Sequence, residues 1–357
     1  MAAGPHYLGL DRRTSQHFKG WLFLAALAFS VARCCPNDDL ATLTVQKSGY
    51  HGASNILDTF METFGAALTR IMTRLAGANI YCGHGYDSVH DEAVALMLGA
   101  ARLPPDQSRD LLGEPFPEDA AERLEDLLRG RCEDRRPTAY LLGEAWLAGL
   151  SFKCDSRALV PRSPIAQVLL EACRPWWSAS VPPRIAVDLC CGGGSLGIIA
   201  AHVFPSTTVW LSDIDKGALA LARENTQRLG TEERVHCVIG DLLGHFGPQS
   251  IDLILANPPY VSVTEMAELP LEYRHEPRGA LQADEEGIAL AVALLQDAER
   301  VLSRGGLLIL EVGESFAALE NHLPTVPFTW IDLPQGGSGV AAISAQELRD
   351  WKAAGAL

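Results

Sequence analysis

Four consecutive residues, Asn257-Pro258-Pro259-Tyr260, combine the types needed to hold and activate a planar –NH2 group. An amino group conjugated to a carbonyl or a ring is a poor nucleophile. Fixing both of its N–H bonds takes two hydrogen-bond acceptors, and the Asn257 side-chain oxygen and the Pro258 carbonyl supply that pair. The prolines stiffen the backbone that carries the second acceptor, so little orientation remains to be gained during a reaction. Tyr260 adds an aromatic face on which a planar amide packs. The motif follows the strand-forming run Ile251-Asp252-Leu253-Ile254-Leu255, and neither proline can donate to a sheet ladder. The strand therefore ends at Asn257.

A second constellation lies upstream, in "VDLCCGGGSLG". It reads as a strand ending at Asp188, then a turn through Cys190, Gly192 and Gly194 into a helix. Here the two glycines let backbone approach a ligand where a Cβ would clash. Gly-x-Gly also opens dinucleotide folds, where pyrophosphate rests on the helix N-terminus. An acid four positions before the first glycine suits S-adenosylmethionine instead, which carries an amino group and a sulfonium but no phosphate. Asp213 ends the next strand, where a carboxylate meets ribose hydroxyls. Asp241 ends the third, in reach of an adenine amino group, with Leu242 beside the ring. Acids and glycines at successive strand ends are hard to explain as ordinary loop residues, because open α/β sheets bind ligands there.

The elements that must position these residues follow from periodicity. Residues from about 54 to 132 have helical spacing, with Ile56, Phe60, Phe64, Leu68, Ile71 and Leu75 on one face. Ser88, with Asp91 three residues on, predicts a helix start, as does Pro117. His84 and His90 have no partners at metal-ligand spacing, and no metal is expected. From Arg136 to Val160 the pattern is short and β-like, predicting a β-hairpin that joins two domains. A helix begins near Pro164. From Pro183 onward strands alternate with helices, the mark of a parallel sheet. Gly230 and Gly305 are expected to close two of those helices, and "FTWIDLP" and "GVAAIS" to close the chain as two strands. Seven strands ending in a hairpin is the architecture of the class I methyltransferases.

Asp-x-x-x-Gly-x-Gly followed by Asn-Pro-Pro-Tyr resembles the N5-glutamine methyltransferase (HemK) family. The resemblance covers residues from about 60 to 350. It implies an α/β fold: a seven-stranded Rossmann-like sheet with a small all-α N-terminal domain joined by a β-hairpin. The implied domains are an extension over 1–52, a helical substrate-recognition domain over 53–135, a hairpin linker over 136–160 and an S-adenosylmethionine-dependent methyltransferase domain over 161–357. "ANIYCGHGYDSVHDEAVALML", "RRPTAYLLGEAWLAGLSFKCDSRALVPRSPI" and "LPLEYRHEPRGALQADEEGI" are similar to the branch that modifies the third protein of the large ribosomal subunit. The branch that modifies the Gly-Gly-Gln loop of release factors has a front domain less like this one. Cys190-Cys191 departs from the Gly-Thr of many members, but both residues are small and cofactor binding is expected to survive. The resemblance thus assigns S-adenosyl-L-methionine to Asp188, Cys190, Gly192, Gly194, Asp213, Asp241, Leu242 and Asn257. It assigns the substrate to Asn257, Pro258, Pro259 and Tyr260, with Asn257, Pro258 and Tyr260 catalytic.

Composition bounds the partners. The chain has 357 residues, 29 basic against 44 acidic, for a net charge of −15. That balance disfavours a nucleic-acid backbone as partner and suits a basic ribosomal protein. It also argues against DNA adenine N6-methylation, although Asn-Pro-Pro-Tyr suits an exocyclic amine flipped from a helix. A ribosome-assembly factor that keeps the fold without turnover is a further alternative, opposed by the presence of Asn257 and Tyr260. Nine cysteines without a CxxC spacing imply reduced thiols in a cytoplasmic protein. "GWLFLAALAFSVA", Gly20 to Ala32, is apolar but too short to span a bilayer comfortably, and Arg33-Cys34-Cys35 is a poor cleavage site. It is expected to belong to a disordered extension or to a misassigned start, with no membrane association.

Overall fold

The computed structural model describes residues 62–107, 109–283 and 286–357. The expected extension over 1–52, the apolar stretch from Gly20 to Ala32, and Ile56 and Phe60 lie outside the described residues. Three helices, Phe64–Gly77, Val89–Ala101 and Glu118–Cys132, form a layer around Ile71, Leu75, Leu96, Leu124 and Leu128, all fully buried. Ser88 caps the second, accepting from the Asp91 N–H. The third opens with Glu118 and Asp119 after Pro117 and closes with Arg129 and Arg131, matching the helix dipole.

The connection is not β throughout. Pro137 starts a short helix, Thr138–Leu142, which Gly143 ends in the left-handed region. The hairpin follows, with β1 (Glu144–Leu147) antiparallel to β2 (Leu150–Lys153). A helix over Ile165–Leu170, with Pro164 at its cap, leads into the main sheet.

That sheet has six strands: β3 (Ile185–Leu189), β4 (Thr208–Asp213), β5 (Val235–Ile239), β6 (Ile251–Ala256), β7 (Leu302–Glu311) and β8 (Val340–Ser344). Their order is β5-β4-β3-β6-β7-β8, parallel except for β8 against β7. Helices Ser195–Val203 and Lys216–Arg228 connect the first three strands, and Ala289–Val301 leads into β7. Apolar clusters cover both faces, which is why the central strands read as continuous runs such as "IDLILA". The winding reverses between β3 and β6, and a crevice opens there beyond the strand ends.

Three details differ from expectation. "FTWIDLP" makes no regular seventh strand: Trp330 bridges Ala341 and the Ile331 N–H donates to Val340, but Pro327 and Pro334 bracket the segment and interrupt its pairing. Gly305 does not close a helix, because the helix ends at Val301 and β7 runs through Gly305. The described chain does not finish on strands either. A helix over Ala345–Ala353 follows β8, started by a capping box between Ser344 and Glu347.

Candidate active site

One cavity of about 880 Å³ occupies the crevice. Asp188, Cys190 and Gly192 line it at the end of β3, Asp213 at the end of β4, and Asp241 and Leu242 after β5. Asn257, Pro258, Pro259 and Tyr260 line the opposite wall beyond β6. Gly194 stands behind the turn instead of in the wall. A Cβ there would come within 2.7 Å of Leu211 Cδ1 and 3.2 Å of Ala222 Cβ, so glycine at 194 serves the packing of the chain on itself. Gly192 has φ +52°, and a Cβ on it would meet Ala158 at an ordinary 3.6 Å. What position 192 demands is a left-handed backbone, with Cys190, two residues before it, also at φ 53°.

The carboxylates build the turn as well as facing the cavity. Asp188 is 1% exposed, and its Oδ2 accepts from the Gly197 N–H at 2.8 Å, tying β3 to the following helix. Asp213 accepts from Gly192 N at 2.8 Å and from Asp215 N at 2.9 Å. Burial pushes the Asp188 carboxyl up to about 7 against the Gly197 hydrogen bond, with Asp213 adding repulsion. Burial likewise raises Asp213. Cys190 is pushed up to about 12 by burial and then by Asp213, Asp188 and Asp241, so its thiol forms a neutral part of the wall. Arg157 and Arg162 also border the cavity, yet Arg157 pairs with Asp155 and Glu224, and Arg162 with Glu276. Asp188, buried and resistant to ionisation, fits a ligand carrying positive charge, as S-adenosylmethionine does.

The opposite wall is held from several sides. Pro258 is buried, and Asn257, Pro259 and Tyr260 are half-buried. The Tyr260 carbonyl accepts from Ser315 Oγ at 2.8 Å, and its hydroxyl donates to Glu311 Oε1 at 3.2 Å. Burial, followed by the Glu311 charge, raises the phenol's pKa. Beyond Tyr260 the chain forms a capped helix, Val263–Glu268, a single turn over Leu271–His275 and another over Arg278–Leu281. Tyr273 and Pro277 from this excursion complete the wall.

Sequence reasoning missed Glu311, Ser163 and the charged residues of the excursion. Glu276, 5% exposed, takes both Arg162 guanidinium nitrogens, at 2.6 and 2.9 Å, and the Val160 N–H. Burial opposes its ionisation, but Arg162 outweighs it and holds the carboxyl down at about 2. Arg162 also lies 5.6 Å above the Tyr273 ring. The signal for Glu311 is an acid at the end of the apolar strand "LLILEVG", the same feature that marks Asp188 and Asp213.

The parallel sheet, the glycine turn and the cavity at its winding reversal define a class I methyltransferase. Residues 167–270 match the family described as the methyltransferase small domain. The chain is 35% identical over 281 residues to the ribosomal protein uL3 glutamine methyltransferase of Francisella tularensis, covering 79% of this chain and 90% of that protein. It is 42% identical over 282 residues to the Xanthomonas campestris protein of the same name, covering 77% and 89%. The Xylella fastidiosa counterpart is 41% identical over 281 residues, covering 77% and 88%. The chain belongs to the family of ribosomal protein uL3 glutamine methyltransferases.

Proposed function

We propose that the protein methylates the side-chain nitrogen of a glutamine in ribosomal protein uL3, using S-adenosylmethionine. The observation that carries this reading is a shared cavity: acids at successive strand ends on one wall and Asn-Pro-Pro-Tyr on the other, 257 and 188 lying at the ends of adjacent parallel strands. The relatives' names supply the acceptor.

Bound S-adenosylmethionine supplies an electrophilic methyl group on its sulfonium. Asp213 accepts from the ribose hydroxyls, and each oxygen keeps a second lone pair beside its backbone bond. Asp241 takes the adenine amino group, Leu242 packs on the ring, and Asp188 and Cys190 shape the floor of the turn. The Asn257 side-chain oxygen and the Pro258 carbonyl accept the two N–H bonds of the glutamine amide, Pro259 stiffens the turn, and Tyr260 packs on the amide plane. Positioning of this kind can lower a barrier by about 7–11 kcal/mol. No strong base is required, because the methylated nitrogen readily gives its extra proton to water.

The helical layer is the part proposed to recognise the substrate, with the hairpin linking it to the methyltransferase domain over 161–357. The net charge of −15 complements a basic ribosomal protein. A cytoplasmic location follows from that substrate. Among the described residues no helix is long and apolar enough to cross a membrane. The test is incubation of the purified enzyme with labelled cofactor and either uL3 or a release factor, followed by peptide mass mapping. One added methyl on a uL3 glutamine is expected. Methylation of the release factor alone would replace uL3 as the substrate.

A further inference from the structure

The end of β7 carries a buried carboxyl that the steps above leave unused. Glu311 is 4% exposed, yet it lines the cavity. Its Oε1 accepts from the Tyr260 hydroxyl at 3.2 Å and its Oε2 from Ser163 Oγ at 2.5 Å. Ser163 follows Arg162 and belongs to the segment that leads into the methyltransferase domain. Glu311 therefore joins three parts of the chain: β7, the Asn-Pro-Pro-Tyr turn and the entering segment.

The rest of the surroundings leaves the Tyr260 ring little freedom. Gly313 lies so close that a Cβ there would come within 2.5 Å of Tyr260 Cε2. Ser315 holds the carbonyl of the same residue. A strand end that needed only packing would be served by an apolar side chain, without placing an ionisable group where water is excluded.

We propose that Glu311 is a positioning residue for methyl transfer: its carboxylate, anchored by Ser163, holds the Tyr260 phenol and fixes the ring face on which the target amide lies. This rests on the function proposed above. The titratable and charged groups that face Glu311 are Tyr260 from the turn and Arg162 from the entering segment. Burial pushes the Glu311 carboxyl up to about 7, with the hydrogen bonds from Ser163 and Tyr260 and the charge of Arg162 opposing. An ionised carboxylate accepts from both hydroxyls, whereas a protonated one carries a donor that competes with them. The grip on Tyr260 thus tightens as pH rises through neutrality.

The experiment has two arms. In the first, wild type, Glu311→Gln, Tyr260→Phe and the double variant are assayed on uL3 between pH 6 and 8, with cofactor affinity measured by calorimetry. Glu311→Gln is expected to lower kcat by roughly 10-fold, leave cofactor affinity within about twofold, and flatten the pH profile. The double variant is expected to be no slower than the slower single variant, since Glu311 acts through Tyr260. Additive losses, an unchanged pH profile or a matching loss of cofactor affinity would overturn the assignment. In the second arm, 3-fluorotyrosine at position 260 reports the ring by fluorine NMR without any substrate. Its shift should titrate near pH 7 in an otherwise wild-type chain and stop doing so with Glu311→Gln or, if that variant fails to fold, be perturbed by Ser163→Ala. A shift indifferent to these changes refutes the coupling. An inactive wild type with a titrating shift would instead refute the substrate and leave Glu311 coupled to Tyr260.

Discussion

Arg131 and Glu272, 141 positions apart, form a 3.0 Å ion pair with side chains only 1% and 2% exposed. Arg131 also bonds Glu92 and donates to the Tyr81 carbonyl at 2.8 Å, while Glu272 accepts from the Tyr81 N–H at 3.0 Å. Three stretches of the helical layer are thereby tied to the excursion that carries Tyr273. Removing one member of such a group strands the others as buried charges. Arg131→Met should cost roughly 3–5 kcal/mol of stability, seen as a shift of the urea unfolding midpoint. It should also raise KM for the protein substrate, since Tyr273 loses its support. A variant as stable as wild type would show that these charges are solvated in solution.

Gly313→Ala should disable the site without unfolding the chain. Position 313 has φ +49°, and the added methyl would meet the Tyr260 ring. The Tyr260 ring must shift, and one misplaced group costs about 100-fold in rate. Steady-state kinetics should give that loss in kcat with cofactor affinity nearly intact. Wild-type turnover would mean the ring position is irrelevant.

Cofactor binding should release protons. Asp188 titrates at about 7 in the folded chain instead of the ordinary 3.8. An acid raised in this way makes the ligand-free protein lose stability as pH climbs from about 4 to about 7, because the unfolded chain has already given up the proton. A cation in the cavity favours the carboxylate and lowers its pKa. Affinity should therefore strengthen with pH up to about 7, with about one proton released at pH 6 and much less at pH 8. Calorimetry in buffers of different ionisation enthalpy measures the count, and Asp188→Asn should abolish this contribution. Equal release by the Asn variant would place the proton elsewhere.

Asn257→Ala should cut methyl transfer at least about 100-fold while leaving cofactor affinity close to unchanged: Asn257 borders the methyl end of the cofactor, and the acceptor it removes serves the amide, not the ribose or adenine. Asn257→Asp keeps an acceptor oxygen but adds charge beside the sulfonium, so it should bind cofactor and retain some activity. If both variants turned over like wild type, the two-acceptor role of the turn would be wrong.

What the sequence disclosed and what it concealed divide by distance along the chain. The alternation of apolar runs with helical spacing located β3 to β7, and punctuation by Asp, Gly and Pro marked the strand ends that meet at the cavity. Those signals are local. The Arg131–Glu272 and Arg162–Glu276 pairs join residues 141 and 114 positions apart, and nothing near either partner announces the other. Glu311 looks like an ordinary acid after an apolar strand until Tyr260 and Ser163 arrive beside it. The helix over Ala345–Ala353 was readable in principle from Ser344 and Glu347. "FTWIDLP" has strand composition, but its flanking prolines interrupt the pairing.

The strand order has a consequence for how such an enzyme can change. The wall proposed to take the methyl donor is lined from 188–242, and the wall proposed to present the acceptor from 257–315. The joint between them in the sheet is four residue pairs wide, Ala186 to Leu189 against Leu253 to Ala256. The Ser163–Glu311 and Arg162–Glu276 contacts also tie the later half to the segment that enters the domain, so an acceptor module can be exchanged only with those partners kept. A chimera that keeps those four pairs together with Arg162 and Ser163, and imports both the helical layer and the later half from a relative with another substrate, should inherit the relative's target and this chain's cofactor affinity.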